Sequence, residues 1–328
     1  YRMLREQARY LPEDRLSQHL GPQGALFVGT DYVIPGFYTQ QGYQQYFSLQ
    51  GSILVTDILS DNWVLGEGSG ISGMDLRRLM VELEQLYFRD YANYWGEAVG
   101  RVALPAVNDF SEVAEQLTGL TSANSPILQM LVEVRENTRF PVVADMPDHA
   151  VDAAGQLADI GGKLGKLAVS TAGKASDALA KNLPDTAKKS LQNRFEPLHR
   201  LLDDNHGPTA DLAPALAALN ELQMQMADLA RASAPEQAAF EMSKTRMGGQ
   251  RDALSQLRNT SGRLPRPVSV WFNVLAEDSW RLVLSESYQY LNQRYQSELY
   301  SFYAKTISKR YPFNAHSNSD VAISDFRE

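Results

Sequence analysis

His199, Asp203 and His206 fall at i, i+4 and i+7, a spacing that puts two imidazoles and a carboxylate on one face of an α-helix, where they could share a metal ion. Asn205-His206-Gly207-Pro208 reads as a helix exit, however, so His206 is expected outside the helix and all three as exposed polar groups near its C-terminus. Gly68-Ser69-Gly70-Ile71-Ser72-Gly73 matches GxGxxG, with Asp90 about twenty residues further on. A dinucleotide site of that type needs a buried strand before the glycines and a parallel strand after the helix. Asn62-Trp63-Val64-Leu65 is a poor strand and the next elements read as helical, so the glycines are read as a loop feeding a helix. GGKLGK at 161–166 is not a phosphate loop, because Ile160 and Leu167 stand where Gly and Ser or Thr are needed.

Other reactive patterns are missing from the sequence. It contains no Cys, which excludes a disulfide framework, a thiolate nucleophile and a Cys-based zinc site. The five histidines are scattered, with no HExxH and no nucleophile elbow beside them. Adjacent acids such as Glu13-Asp14 and Asp203-Asp204 point in different directions on a helix and are read as solvated. The reading is therefore no catalytic residue, no cofactor, no metal, and not an enzyme. A formal charge of −8 also argues against nucleic acid as the main partner, since phosphate binding needs clustered Lys and Arg.

The elements that would position these groups are helices. The 328 residues, 44% hydrophobic, suffice for about two domains or one extended helical body, and no run of about 18 apolar residues appears. The chain starts at Tyr1 without Met or a signal-peptide pattern, and is expected to be a fragment of something longer. Residues 3–20 predict one or two short helices, and 25–34 at most a minor strand. Leu76, Leu79, Met80, Leu83, Leu86, Tyr87, Tyr91, Tyr94 and Trp95 recur at helical spacing and predict a long helix capped from Ser72. Further helices are predicted at about 109–119, 125–139 (with Ser125-Pro126 as N-cap and N1), 186–204, 209–234 and 235–260.

Between the 25–34 lead-in and the long helix lies IPGFYTQQGYQQYF, residues 34–47. Ile34-Pro35-Gly36-Phe37 suits a type II turn with Gly36 at positive φ. Thr39 is then a helix N-cap, and Tyr38 and Tyr43 form a hydrophobic staple across it. Tyr43, Tyr46, Phe47 and Leu54 are expected on the buried face, with Gly51 a candidate break. The stretch is read as structural punctuation ahead of a ligand loop.

Composition changes after Phe140. Residues 141–190, rich in Ala, Gly, Lys and Asp, are expected to form a marginal helix or disordered spacer between helical domains at 1–140 and 191–328. Residues 161–194 carry seven Lys or Arg against two Asp, a local +5, read as a solvated spacer rather than a patch for acidic polymers. RLPRP at 263–267 breaks the chain, and from Val268 to Tyr311 there is no Pro and no Gly. An apolar stripe from Trp271 through Trp280, Leu291 and Leu299 to Ile307 predicts one helix, ended by Pro312 and closed by Lys305, Lys309 and Arg310. The fold class is all-α, an elongated multi-helix body with long amphipathic helices and little or no sheet.

Taken in order, these segments resemble the IcmF/TssM family, in its periplasmic region. The resemblance runs through IPGFYTQQGYQQYF (Pro35, Gly36, Tyr38, Thr39, Gly42, Tyr43), DNWVLG at 61–66 (Trp63), and LYFRDYANYW at 86–95 (Tyr91, Trp95). It continues through ILQMLVEVRENTRF at 127–140, RFEPLHRLL at 194–202 and LPRPVSVWFNVLAEDSW at 264–280 (Trp280), and reaches SKRYPFNAHSNSDVAISDF at 308–326 (Tyr311, Pro312, Phe313). The family resemblance implies a structural scaffold of the type VI secretion trans-envelope complex, in the periplasmic region of an inner-membrane protein. Its implied partners are a TssJ-like outer-membrane lipoprotein, bound mainly by a β-rich domain beyond residue 328, a TssL-like inner-membrane protein, and other copies of itself. The rival readings are an IcmF-type adaptor of a Dot/Icm type IV system and an envelope enzyme such as a cell-wall hydrolase.

Overall fold

A computed structural model describes residues 1–51, 53–54, 73–140 and 185–327. Trp63, the GxGxxG stretch before Gly73, the GGKLGK stretch and most of the expected spacer lie outside these residues. Among the described residues the regular structure is helical, and pairing is limited to isolated bridges such as Asp14–Ile34 and Val28–Ala103. The extended lead-in at 25–34 thus never becomes a strand.

Contacts divide the chain into two units, one of residues 1–105 and 122–213, the other of residues 106–121 and 214–328. These limits cross those expected from composition: 106–121 joins the second unit, and 191–213 joins the first.

The first unit opens with α1 (Arg2–Gln7) and short 3-10 turns, then α2 (Gln40–Gly42), which runs into a π turn at Tyr43–Phe47. The backbone is still helical at Gly51, so that glycine does not break it. Helix α3 (Gly73–Gly100) is the axis of the unit, and Leu83, Tyr87, Phe88, Tyr91, Trp95 and Val99 are its buried stripe. Leu79 and Leu86, expected on that stripe, are exposed. Helix α5 (Pro126–Thr138) starts on Pro at its first turn, where a missing N–H costs nothing. Helix α6 (Thr186–His199) packs on α3 and α5, ending five residues short of the expected 204.

In the second unit, α4 (Phe110–Leu120) is capped by Asp109, whose carboxylate accepts from the Glu112 N–H. Helix α7 (Ala213–Arg231) follows. The pattern at 235–260 splits into α8 (Pro235–Met247) and α9 (Ala253–Ser261), because Gly249 turns at φ 82° and Asp252 recaps the chain. Both pack on α10 (Val268–Arg294), which continues through π turns at Tyr295–Tyr300 and Tyr303–Ile307. The Arg246 guanidinium lies 4.5 Å over the Trp280 ring and pairs with Asp252 at 2.8 Å, holding the α8–α9 corner to α10. Regular helix ends near Ile307, ahead of Pro312; Tyr311 instead pairs with the 319–321 segment through backbone hydrogen bonds.

Candidate functional site

Three aromatic side chains of α3 tie that helix to the turn at 35–39 and to the end of α5. Tyr87, Tyr91 and Trp95 sit at i, i+4 and i+8, fully buried, with their polar tips aimed at backbone carbonyls. Tyr87 donates to Phe37 O (2.6 Å), Trp95 Nε1 to Tyr38 O (2.8 Å), and Tyr91 to Asn137 O at the end of α5 (2.6 Å). Around them Phe37, Tyr38, Tyr43, Phe47 and Phe88 close a ring cluster, with Phe47 stacked on Tyr87 at 3.8 Å. Tyr38 and Tyr43 both pack on Tyr87, so the expected staple runs through a third ring.

Thr39 caps as expected: its hydroxyl accepts from Gly42 N (3.0 Å) and donates to Gly36 O (2.9 Å). The type II turn is corrected. Gly36 opens a 3-10 turn and is not among the positive-φ glycines of the described residues, which are Gly21, Gly29 and Gly249. Space requires it instead, because a Cβ there would lie 2.2 Å from Pro12 O.

The His199–Asp203–His206 set does not converge. His199 is buried, not exposed, and its Nε2 meets Thr138 Oγ1 at 2.7 Å. Thr138 spends its one hydroxyl hydrogen on Val134 O, so its oxygen accepts from Nε2–H and leaves Nδ1 as a bare buried acceptor. Asp203 folds back onto the Asn205 and Gly207 N–H groups. His206 lies outside the helix as expected, at φ 63°, with Nδ1 facing the Arg135 guanidinium at 3.1 Å. That guanidinium also donates to the Leu202 and Asp203 carbonyls, closing the exit of α6.

Burial, opposed by the charge of Glu196 and reinforced by Arg139 and Arg135, pushes the His199 imidazolium pKa down to about 4. A depressed pKa contributes stability that is full above the unfolded value of about 6.5 and is lost as pH falls toward 4. Taking the first unit from pH 7 to 5 is therefore expected to cost about 2 kcal/mol through this group. Urea unfolding at the two pH values measures it, and His199→Gln should flatten the difference.

A different histidine gathers acids, one of which, Asp14, is among the adjacent pairs expected to be solvated. Asp14 and Glu133 flank His19, with Nε2 at 2.6 Å from Asp14 Oδ1 and Nδ1 at 3.3 Å from Glu133 Oε2. Among the described residues these are the three His and acid side chains whose ligand atoms gather closely enough to consider a cation. Each ring nitrogen faces its own carboxylate, however, which suits an imidazolium between two anions and leaves no lone pair for a metal. Nothing local in the sequence signals this set, since Glu133 lies 114 residues from His19. Asp90, the acid of the supposed dinucleotide pattern, accepts from Tyr1 and Arg89.

The other unusual surface is on α10 and its extension. The buried face ends near Ser287, and the apolar stripe that predicted the helix continues outward as Leu284, Tyr288, Leu291, Tyr295, Leu299 and Tyr303, all exposed. A four-residue step in an α-helix overshoots a turn by about 40°, whereas a wider π turn undershoots it. The π turns therefore bring Leu299 and Tyr303 back into line. Beside the stripe Arg294 and Glu298 form a two-pronged pair at 3.0 and 2.8 Å. Tyr311 and Phe313 are also exposed, with Phe313 edge-on to Tyr303. No helix among the described residues is long and apolar enough to cross a membrane.

Comparison with known proteins places this fold. Residues 1–139 match the family model described as IcmF-related: Intracellular multiplication and human macrophage-killing. The type VI secretion system component TssM1 of Pseudomonas aeruginosa is 23% identical over 96% of this chain, which spans only 29% of that relative. Among solved structures, a chain of a type VI secretion system membrane core complex superposes with a TM-score of 0.67 at 19% identity, over 98% of this chain and 56% of the other. A type VI membrane complex gives a TM-score of 0.58 at 18% identity, over 98% and 53%. The first 139 residues thus carry the IcmF-related pattern, and almost the whole chain is similar in sequence to a TssM1 component and in fold to chains of type VI membrane complexes.

Proposed function

We propose that this chain is a helical scaffold segment of a type VI secretion trans-envelope complex, in the periplasmic region of an inner-membrane protein. In that role it links TssL-like inner-membrane components to a TssJ-like outer-membrane lipoprotein and has no catalytic step of its own. The observation that carries the reading is the exposed stripe on α10, paired with likeness to chains of type VI membrane complexes. Neither an adaptor of a type IV system nor a cell-wall hydrolase is favoured by any feature of the site.

We assign the stripe to a second copy of the chain. Four exposed tyrosines (288, 295, 300, 303) and three exposed leucines (284, 291, 299) present roughly 700 Å² along one helix, close to the about 800 Å² per partner of a stable interface. Steps of four and three residues from Leu284 to Tyr295 suit a helix packing on its own kind. Sedimentation of the 328-residue chain should detect self-association at tens of micromolar, weakened at least tenfold by Leu291→Glu with Tyr295→Glu while circular dichroism stays unchanged. A wild-type chain that stays monomeric throughout, or a double variant that associates as well, defeats the assignment.

A further inference from the structure

We propose that His19 is a proton-operated latch that fastens the N-terminal segment 11–20 to helix α5. The imidazole bridges two acids brought from opposite ends of the first 140 residues: Asp14 on its Nε2 side (2.6 Å) and Glu133 on its Nδ1 side (3.3 Å). A neutral imidazole has one N–H and one lone pair, so it can satisfy one carboxylate while turning its lone pair on the other. Only the imidazolium donates to both. Losing one proton therefore replaces an attraction with a repulsion at one end of the bridge.

The charged groups that act most strongly on the ring favour that proton. From the N-terminal segment comes Asp14, with Glu13 and Arg15 paired to each other beside it at 3.7 Å; from α5 come Glu133 and Glu136. Burial of the ring opposes its charge, but the Asp14 hydrogen bond and the charges of Glu133, Asp14 and Glu136 outweigh it, and the pKa is raised. Protons reach the site because it lies in an open groove of about 340 Å³, and the His19 side chain is 37% exposed.

The latch is wired to the turn. Glu133 Oε1 accepts from Asn137 Nδ2 (2.7 Å), Asn137 Oδ1 accepts from Gln40 N (3.2 Å), and Asn137 O accepts from Tyr91. On the other side, Asp14 exchanges both backbone hydrogen bonds with Ile34 (2.8 Å each), and Ser17 N donates to Thr30 O. Release of His19 thus loosens the pairing of segment 11–20 with 30–34. A raised pKa fixes the direction: the contribution is complete below about pH 6.5 and disappears as pH rises through the folded value.

Nuclear magnetic resonance of the 328-residue chain labelled at histidine tests this. His19, assigned by His19→Gln, should titrate above about 6.5 and shift downward in Glu133→Gln or Asp14→Asn. Protection factors of the Asp14, Ser17 and Ile34 amides, which already remove the intrinsic pH dependence of exchange, should drop about tenfold between pH 6 and 9 in the wild type. In His19→Gln they should not change with pH. Should that variant fail to fold, Glu133→Gln serves instead, with its drop shrunken and moved to lower pH. Titration of His19 at or below 6.5, or equal loss of protection in wild type and variant, overturns the latch.

Discussion

Trp95→Ala is expected to destabilise the first unit by about 4 kcal/mol. The indole is fully buried and lies parallel to the Tyr91 ring, so truncation leaves a cavity that its packed neighbours cannot fill. It also strands Tyr38 O, whose partner is Trp95 Nε1. Trp95→Phe separates the two effects: the ring mostly remains and the donor is lost, with an expected cost of about 1–2 kcal/mol. Because the chain has two units, one melting temperature is a poor measure. Hydrogen exchange of amides in α3 and the 36–47 segment, followed against urea, isolates the first unit. A loss below about 1 kcal/mol for the alanine variant would mean that the turn is held by something other than this side chain.

The second large effect is at Gly42. An added Cβ would stand 2.0 Å from Gly36 O and 3.0 Å from Phe37 O, and both obstacles are backbone. Neither can move without breaking the Thr39 cap or the Tyr87 hydrogen bond to Phe37 O, so Gly42→Ala is expected to cost about 3 kcal/mol or more. Two glycines of α3 calibrate it. At Gly96 the obstacle is the guanidinium of Arg194 at 2.5 Å, a side-chain end that can swing away, and at Gly100 nothing lies within 4 Å. The expected order of destabilisation is Gly42→Ala, then Gly96→Ala, with Gly100→Ala neutral or slightly stabilising. Urea midpoints of the three variants decide it, and a Gly42→Ala midpoint equal to that of Gly100→Ala would remove the steric argument.

What was legible in the sequence was local. The aromatic run of α3 could be read from its period, and Thr39 from its place before a helix. The Gly248-Gly249 pair followed by Asp252 was also a readable stop and restart, outweighed by the apolar period on either side. Tertiary reasons were not readable. Gly36 looked like a turn glycine because Pro-Gly favours type II turns, but its need comes from the Pro12 carbonyl pressing on it. His199 looked exposed because it ends a helix, yet Thr138, 61 residues earlier in sequence, receives it in the core. The stripe on α10 was an apolar period like any other; a period marks a face and does not say what covers it. Most of the candidate site belongs to this second kind, since the His19 bridge and the aromatic tips depend on partners distant in sequence.

The interleaving of the two units governs how the chain can be dissected. Residues 106–121 leave the first unit to complete the second, and the chain then returns for residues 122–213. A fragment stopping at 213 keeps α4 without its packing partners, and one starting at 106 keeps α5 and α6 stripped of α3. No scissile bond yields either half whole. Deletion mapping will therefore report loss of folding wherever it means to report loss of binding, and point substitutions are the tool that keeps the two apart.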